Sequence, residues 1–450
     1  MRLSHCLLCI VLFFSFGWAQ DPEILYLTWK GDPATTMTVM WHTTDGNGPT
    51  VVYYTQVNSK IGFSLPLHPH LSSPLHRPYS LNRPCFEDRK SGAQALVKLP
   101  IFESTYVYQP PEEAQWQKQE GTSHRLQNSS VTVHQVELSN LVPDTDYSFR
   151  LEDGDIHRLR TMPDGLTRPI RAVVGGDAYF SEELYRKMNR EVASRDPDFV
   201  ILAGDIAYTE GLSCALRTRY WKINRWEEFF TYWSKDMVTK EGRLIPIVPV
   251  LGNHDVKEGF DDPYKKEVLF YQFFVFPKPE IPYRVFQIGS DLCFFLLDSC
   301  HTYPIGGLQT EWLKKALNKH QNALYRIPVY HIAAYPSENS YTHRGSKDIR
   351  KFWVPLFEKY GVKISMEHDN HDFKRTYPIW QGRVDPKGIL YLGDGAWGVF
   401  PEKPRRHWYL AKALRTNCYW LLTINQSKLL AEAFDNEGEL IDQVEISPGK

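Results

Sequence analysis

Short runs of alternating apolar and polar residues dominate the first third of the chain. Turn-forming Gly, Pro, Asn and Asp residues separate these runs. The runs are 23–29, 36–41, 51–54 and 131–138. A period of two residues is typical of strands with one buried face. The segment 22–163 is therefore predicted to be all-β, with an irregular, proline-rich stretch at 58–125 that we interpret as long insertions between strands.

The pattern changes after residue 163. Continuous apolar runs typical of buried strands alternate with segments of helical period, such as 181–194, 309–317 and 346–360. The apolar runs are 171–174, 199–203, 244–251, 294–297, 327–330, 362–365 and 389–392. Strands that alternate with helices indicate an α/β domain. The tail from 418 to 446 returns to β alternation and is assigned to the same unit.

The first twenty residues have the pattern of a targeting segment. A basic start precedes an apolar run from Leu7 to Trp18, and a small residue, Ala19, follows. This pattern predicts a secretory signal peptide over 1–19, because the run is short for a bilayer-spanning helix, although an uncleaved anchor is the alternative. We therefore expect a secreted or periplasmic protein without stable membrane insertion, and Asn128 and Asn425 fit the N-glycosylation sequon.

Composition adds two limits. The chain has 450 residues and a formal net charge of −1, so we expect two or three domains and have no electrostatic reason to expect nucleic acid as a partner. Five cysteines remain after the predicted leader, and they are Cys85, Cys214, Cys293, Cys300 and Cys418. Their spacing matches no zinc framework, and it is compatible with one or two disulfides.

Metal-binding residue types follow the buried strands. Several of the predicted strands are followed by a short motif that contains such residues. The motifs are Gly176-Asp177, Gly204-Asp205-Ile-Ala-Tyr208, Gly252-Asn253-His254-Asp255, His331 and Glu367-His368-Asp369-Asn370-His371. Open α/β sheets bind ligands outside the carboxyl ends of their strands, so these side chains should converge on one crevice. A lone Gly-Asp after a strand is more often a plain turn, and a lone Gly-Asn-His is as often a turn as a site, but the ordered series predicts a metal site.

The ordered series resembles the calcineurin-like metallophosphoesterases, and more closely the purple acid phosphatases, because of Tyr208. The run 28–39 also resembles that family's N-terminal domain, and the Leu141-x-Pro-x-Thr-x-Tyr147 spacing resembles the tyrosine corner of a sandwich. The resemblance implies a fibronectin type III-like β-sandwich at 22–163. A metallophosphoesterase domain at 165–450 would follow it, with two mixed sheets flanked by helices in four layers, α/β/β/α.

The resemblance further implies two metal ions, Fe(III) together with Fe(II), Zn or Mn. Asp177, Asp205, Tyr208 and His371 would hold the first ion. Asp205 would bridge to the second, which would also take Asn253, His331 and one residue of 367–369. Hard oxygen and imidazole ligands suit these metals, and a pair of such ions can generate a hydroxide that attacks phosphorus directly. A tyrosinate on Fe(III) would give the protein colour.

Residues beside the ligands receive roles from the same resemblance. His254 would contact the phosphate or stabilise the transition state, and Asn253 and Arg344 would also contact substrate. Residues that support metal sites commonly orient their neighbours, so Asp255 would orient His254, with a capping role as the alternative. His343 is placed as an acid for the leaving group, with a plain loop histidine as the alternative. Arg344 and Arg375 could hold phosphate bidentately, with an ordinary surface role as the alternative for each.

One departure from the family pattern lies near residue 370. The family has His-x-His, whereas this chain has Asp369 two residues before His371. Either Asp369 replaces imidazole on the second metal, or the loop shifts and His368 serves. Glu367 is interpreted as structural.

The leading functional hypothesis is a secreted acid phosphatase that hydrolyses phosphomonoesters. A phosphodiesterase on the same fold and an exported binding protein with a residual metal site are the alternatives. Physiological substrate and oligomeric state are open.

Overall fold

The structure is a computed structural model that describes residues 22–44, 48–57, 115–210, 219–256, 269–277 and 281–449. The predicted leader, Cys85, Cys214 and most of the stretch 58–125 lie outside these ranges. All of the described residues belong to one compact unit. The predicted division of the chain between 163 and 165 therefore stays a prediction.

Two four-stranded antiparallel sheets form the N-terminal part, in the orders β1-β2-β6-β5 and β4-β3-β7-β8. Their strands are β1 (Leu25–Thr28), β2 (Met37–Thr43), β3 (Val51–Gln56), β4 (Gln117–Glu120), β5 (Thr122–Arg125), β6 (Thr132–Leu138), β7 (Asp146–Leu151) and β8 (His157–Arg160). Apolar residues of both sheets belong to one buried cluster. The edge strands β4 and β5 were not predicted, because their residues are nearly all exposed and carry no apolar alternation.

Tyr147 makes the predicted corner contact. Its hydroxyl oxygen accepts a hydrogen bond from the backbone N–H of Val142 at 2.8 Å. The contact fixes the chain just before β7, because it joins the side chain of a β7 residue to the backbone five positions upstream. The prediction of this hydrogen bond is confirmed, while the fibronectin type III-like identity of the sheets stays a prediction.

Two mixed sheets form the rest of the molecule. Their orders are β11-β10-β9-β21-β22-β23 and β12-β13-β14-β15-β19-β16-β20, and β17 and β18 form a separate hairpin. The strands are β9 (Ile170–Gly175), β10 (Phe199–Ala203), β11 (Ile247–Val250), β12 (Arg284–Ile288), β13 (Leu292–Leu296), β14 (Tyr325–Ile332), β15 (Ile364–His368), β16 (Phe373–Thr376), β17 (Ile379–Trp380), β18 (Arg383–Val384), β19 (Leu390–Asp394), β20 (Leu410–Leu414), β21 (Cys418–Ile424), β22 (Leu429–Asp435) and β23 (Leu440–Ile446). The helices are α1 (Glu182–Ser194), α2 (Arg219–Asp236), α3 (Phe270–Phe273), α4 (Leu308–Lys319), α5 (Arg344–Phe352) and α6 (Val354–Lys359).

The two mixed sheets bury both of their faces. On β10, Ile201 points into the cluster between the sheets, and its neighbours Val200 and Leu202 point towards α1 and α2. On β13, Phe294 joins the central cluster, and Phe295 joins the cluster beneath α4, α5 and α6. Continuous apolar runs are needed for strands that are buried on both sides. The result is the predicted α/β unit of two sheets flanked by helices.

Helix boundaries follow local chemistry. Ser181 precedes α1, and its hydroxyl oxygen accepts the N–H of Leu184 at 3.5 Å, as expected for an N-cap. The single helix predicted at 346–360 is two helices, and Trp353 separates them. Pro355 lies in the first turn of α6, where its missing N–H costs little. No helix in the described ranges combines the length and the apolar character needed to cross a membrane.

Candidate metal centre

Carboxylate and imidazole groups converge where parallel strands of both sheets end. Asp177 and Asp205 follow β9 and β10, which are parallel neighbours in one sheet. His331 lies near the end of β14 in the other sheet. Ligand atoms of these three buried side chains lie within 4.8 Å of one another. The crevice predicted from strand ends therefore exists, and it lies between the two sheets.

Tyr208 and His371 lie beside Asp177. The Tyr208 hydroxyl donates a hydrogen bond to Asp177 Oδ1 at 2.9 Å and lies 3.2 Å from Nε2 of His371. The same His371 nitrogen is 3.2 Å from Asp177 Oδ1. One carboxylate, one phenol and one imidazole thus point at a common position.

A second group of side chains surrounds Nε2 of His331. This nitrogen lies 3.0 Å from Asn253 Oδ1, 3.3 Å from Asp205 Oδ1 and 3.6 Å from Asp369 Oδ1. His331 Nδ1 lies 2.9 Å from the carbonyl oxygen of Ala203, which fixes the ring so that Nε2 faces the cluster. Holding the second ring nitrogen in this way is typical of metal-binding histidines.

The backbone at these positions is unusual. Asp177, Asp205, Tyr208 and Asp369 all have left-handed conformations, with φ between 52° and 66°. Such conformations cost about 1–3 kcal/mol each and concentrate at functional sites. Gly252 permits the close approach of two of the loops, because a Cβ there would lie 2.3 Å from Asp205 Oδ1.

The charges of the cluster fit bound cations. Asp177 and Asp205 are buried, and neither carboxylate has a Lys or Arg ion partner among the described residues. Burial lowers the pKa of His371, but the adjacent Asp177 outweighs burial and raises this pKa to about 9. Buried carboxylates require a positive partner, and oxygen and imidazole donors suit iron, manganese or zinc. The donor set therefore fits the two metal ions that the family resemblance implies.

His254 lies beside this cluster. Its backbone N–H donates to Asp205 Oδ1 at 2.7 Å, and its ring Nε2 lies 3.8 Å from Asp205 Oδ2. The ring stacks on Tyr208, with centroids 4.7 Å apart, and Nδ1 lies 2.5 Å from the carbonyl oxygen of Glu210. Nε2 thus faces the space in front of the cluster.

Asp255 has a structural place next to His254. Its carboxylate accepts the N–H of Ile206 at 2.8 Å and the N–H of Gly252 at 2.9 Å. These contacts join the loops after β10 and β11 and match the cap interpretation. Neither contact involves the imidazole of His254, so a catalytic role for Asp255 stays a prediction.

The structure gives Asp369 a direct place in the cluster. Its backbone N–H donates to Asp177 Oδ2 at 3.2 Å, and its Oδ2 accepts from Asn339 Nδ2 at 2.8 Å. The side chain of Asn339 therefore leaves Oδ1 of Asp369 directed at His331. His368 is fully buried, and its ring packs over Gly176. This geometry favours Asp369, rather than His368, as the candidate ligand of the second metal ion.

Three other predicted residues are not brought to the cluster by the contacts of the described residues. His343 immediately precedes α5 and is exposed, and the Arg344 side chain is 81% exposed and lies 3.9 Å from Asp348. Arg375 donates instead to Asp442 at 2.6 Å. Roles of His343 and Arg344 in catalysis or binding stay predictions.

Several neighbours of the cluster were missed by sequence reasoning. Asn339 and Glu338 contact the 369–371 loop, and Glu338 Oε2 accepts the N–H of His371 at 3.2 Å. The buried ring of His301 lies 5.6 Å from the ring of His331. His301 follows β13, so the rule that found the ligands, polar residues after a buried strand, could have found it.

The two glycosylation sequons lie at surface turns. Asn128 is exposed, with φ of 56°, and the side-chain oxygen of Asn425 accepts the N–H of Ser427 at 2.8 Å in the turn between β21 and β22. Their glycosylation stays a prediction.

Comparison with known proteins finds similarity to phosphoesterases. The family model of calcineurin-like phosphoesterases matches residues 154–371. Purple acid phosphatase 15 of Arabidopsis thaliana is 26% identical over 296 residues, which are 60% of this chain and 54% of the relative. The match thus spans about half the length of that relative.

Solved structures show the same fold. A purple acid phosphatase from yellow lupin (Lupinus luteus) seeds superposes with a TM-score of 0.68 at 16% identity, covering 94% of this chain and 74% of the other. PhoD superposes with a TM-score of 0.60 at 10% identity, covering 96% and 94%. The chain therefore shares the fold of these two proteins, and its residues 154–371 are similar to the calcineurin-like phosphoesterases.

Proposed function

We propose that this chain is a binuclear metal-dependent phosphatase that hydrolyses phosphomonoesters. The convergence of Asp177, Asp205 and His331 between the two sheets carries the proposal. Asp205 lies between the two groups of donors, where a bridging carboxylate is needed. The similarity to purple acid phosphatases adds support for acid phosphatase activity.

The donors divide into two sets. Asp177, Tyr208 and His371 would hold the first ion, and Asn253, His331 and Asp369 the second, with Asp205 shared. Two bound ions would polarise the phosphoryl group and supply the nucleophile. The Tyr208 phenol suits Fe(III), so we further propose that the loaded protein is coloured.

His254 would act on the phosphoryl group through Nε2. The stacking on Tyr208 and the contact with the Glu210 carbonyl hold its ring in place. A fixed donor of this kind stabilises the oxygens that gain charge in the transition state. Export of the protein and its glycosylation are part of the same proposal.

One experiment tests this function. Purified protein is analysed for metal content and visible absorption, and then assayed with nitrophenyl phosphate and bis(nitrophenyl) phosphate. We expect two metals per chain, an absorption band and faster turnover of the monoester. Preference for the diester would favour the phosphodiesterase alternative, and two bound metals without turnover would favour the binding protein.

Replacing Asp369 with histidine should change metal preference. Imidazole favours zinc, while carboxylate oxygen favours manganese and other hard ions. We expect D369H to raise the ratio of bound Zn to bound Mn by roughly ten-fold, the scale on which ligand surroundings alter metal affinity. Competition between equal amounts of the two metals, read by elemental analysis, measures this ratio. The matched control is D348H, because Asp348 lies on α5 and, among the described residues, forms its ion pair with Arg344. An unchanged ratio in D369H would argue against Asp369 as a ligand.

A further inference from the structure

A cavity of about 510 Å³ opens directly beside the metal centre. His254 and His371 form part of its wall, and so do Tyr208, Phe180 and Phe400. A phosphoryl group on the cluster would therefore have its ester substituent in or near this cavity. The residues around the cavity should then select the alcohol that leaves.

Two exposed phenylalanines stand at this cavity. Phe180 is 52% exposed and Phe400 is 63% exposed. Their ring centroids lie 6.2 Å apart at an interplanar angle of 80°, and the Phe180 ring lies 5.5 Å from that of Tyr208. Exposed large apolar side chains that cluster at a cavity mark a ligand surface, and aromatic faces favour flat aromatic partners.

Both phenylalanines are on segments that the metal loops hold in place. Arg225 donates to the carbonyl oxygen of Phe180 at 3.0 Å and to that of Ala207 at 3.2 Å, which ties the Phe180 segment to the Tyr208 loop. The N–H of Glu402 donates to the carbonyl oxygen of His371 at 2.6 Å, which ties the Phe400 segment to the His371 loop. A surface fixed in advance loses little entropy when a ligand binds.

The charged side chains at the cavity are of both signs. The carboxylates of Glu210 and Glu402 are part of the wall. Glu210 pairs with Lys222, and the guanidinium of Arg225 is directed to backbone carbonyl oxygens. The two carboxylates and the two cations leave no net charge to attract a second anionic group, so an uncharged leaving group fits.

We propose that Phe180 and Phe400 form a subsite for the leaving group, which selects phosphomonoesters of uncharged aromatic alcohols. The inference rests on the proposed phosphatase function. In the reaction the bond between phosphorus and the ester oxygen breaks, and a bond forms between phosphorus and the oxygen of water. One proton of that water leaves on the aromatic alcohol, and the other stays with the phosphate and its solvent.

The test compares esters that differ in shape but little in chemical reactivity. Benzyl phosphate carries a flat ring, cyclohexylmethyl phosphate carries a saturated ring, and methyl phosphate carries none. We expect kcat/KM for benzyl phosphate to exceed that for cyclohexylmethyl phosphate by about ten-fold, the effect of ~1.4 kcal/mol. The F180L/F400L double variant keeps apolar bulk without an aromatic face, and it should lose this preference while kcat/KM for methyl phosphate stays within about two-fold.

W408L is the matched control, because Trp408 is 51% exposed and does not line the cavity. It should behave as the wild type with all three esters. A double variant that keeps the benzyl preference, or that loses activity equally on all three esters, overturns the subsite.

Binding separates failure of the subsite from failure of the proposed function. The metal-loaded protein is titrated with benzylphosphonate and methylphosphonate by calorimetry. The subsite is supported if benzylphosphonate binds more tightly than methylphosphonate and if its binding weakens about ten-fold in F180L/F400L. This holds even if no ester is turned over, and in that case only the phosphatase proposal fails. Equal binding of both phosphonates overturns the subsite whatever the turnover.

Discussion

Asp205→Asn is expected to abolish most of the activity and to lower the metal content of the purified protein. The Asp205 carboxylate is buried, its Oδ1 accepts the His254 N–H at 2.7 Å, and it lies 3.3 Å from His331 Nε2. Burial raises the pKa of Asp205, but His331 and His254 outweigh it and hold this pKa below its ordinary value. The carboxylate is therefore ionised and available to both proposed ions.

The expected loss in kcat/KM exceeds about 10²-fold, because residues that only support a metal ligand already cost 10–100-fold when replaced. Asparagine keeps the shape of the side chain and its backbone contact but removes the charge that two cations would share. Elemental analysis and steady-state kinetics on the same preparation measure both effects. D153N is the control, since Asp153 is 92% exposed and lies between β7 and β8 of the N-terminal sheets. Wild-type turnover and two metals per chain in D205N would refute the assignment of Asp205 as a bridge.

The convergence of the candidate ligands could be predicted because local pattern and sheet topology act together. Each buried strand is visible as an apolar run, and a parallel strand must deliver the residue after it to the same edge. Asp177 and Asp205 are placed by β9 and β10 in this way, and His331 by β14. A glycine at position 252, next to the candidate ligand Asn253, already indicates a close approach of the backbone. The structure shows which group it approaches, because a Cβ at Gly252 would lie 2.3 Å from Asp205 Oδ1.

Residues that hold the ligands in place were beyond the sequence. Asn339 contacts Asp369 across thirty positions of the chain. Nothing in the pattern near Asn339 distinguishes it from other polar loop residues. The exposed edge strands β4 and β5 form because β3 and β6 offer unpaired backbone edges, not because of their own residues. Long-range contacts of both kinds depend on the assembled fold.

A buried ion pair next to the candidate metal centre is another long-range contact that the sequence does not predict. Glu367 was interpreted as structural from sequence, but its partner, Lys374, was not foreseen. The two side chains are 0% and 1% exposed and form an ion pair. Glu367 also accepts from the N–H of Ala334 at 2.8 Å, and Lys374 donates to the carbonyl oxygen of Tyr335 at 2.7 Å. The pair thus joins β15 and β16 to the loop that follows β14 and leads to Asn339.

Lys374→Met is expected to lower the free energy of unfolding by about 3–5 kcal/mol, because it leaves the Glu367 carboxylate buried without its cation. Adding Glu367→Gln removes that uncompensated charge, and the amide oxygen can still accept the Ala334 N–H. The double variant should therefore recover part of the loss, and urea unfolding at pH 7 of the two single variants and the double variant measures the coupling. R375M is the adjacent control on β16, where the Asp442 partner is only partly buried and the expected cost is smaller. If K374M unfolds at the wild-type urea concentration, this pair does not stabilise the loops that position the metal ligands.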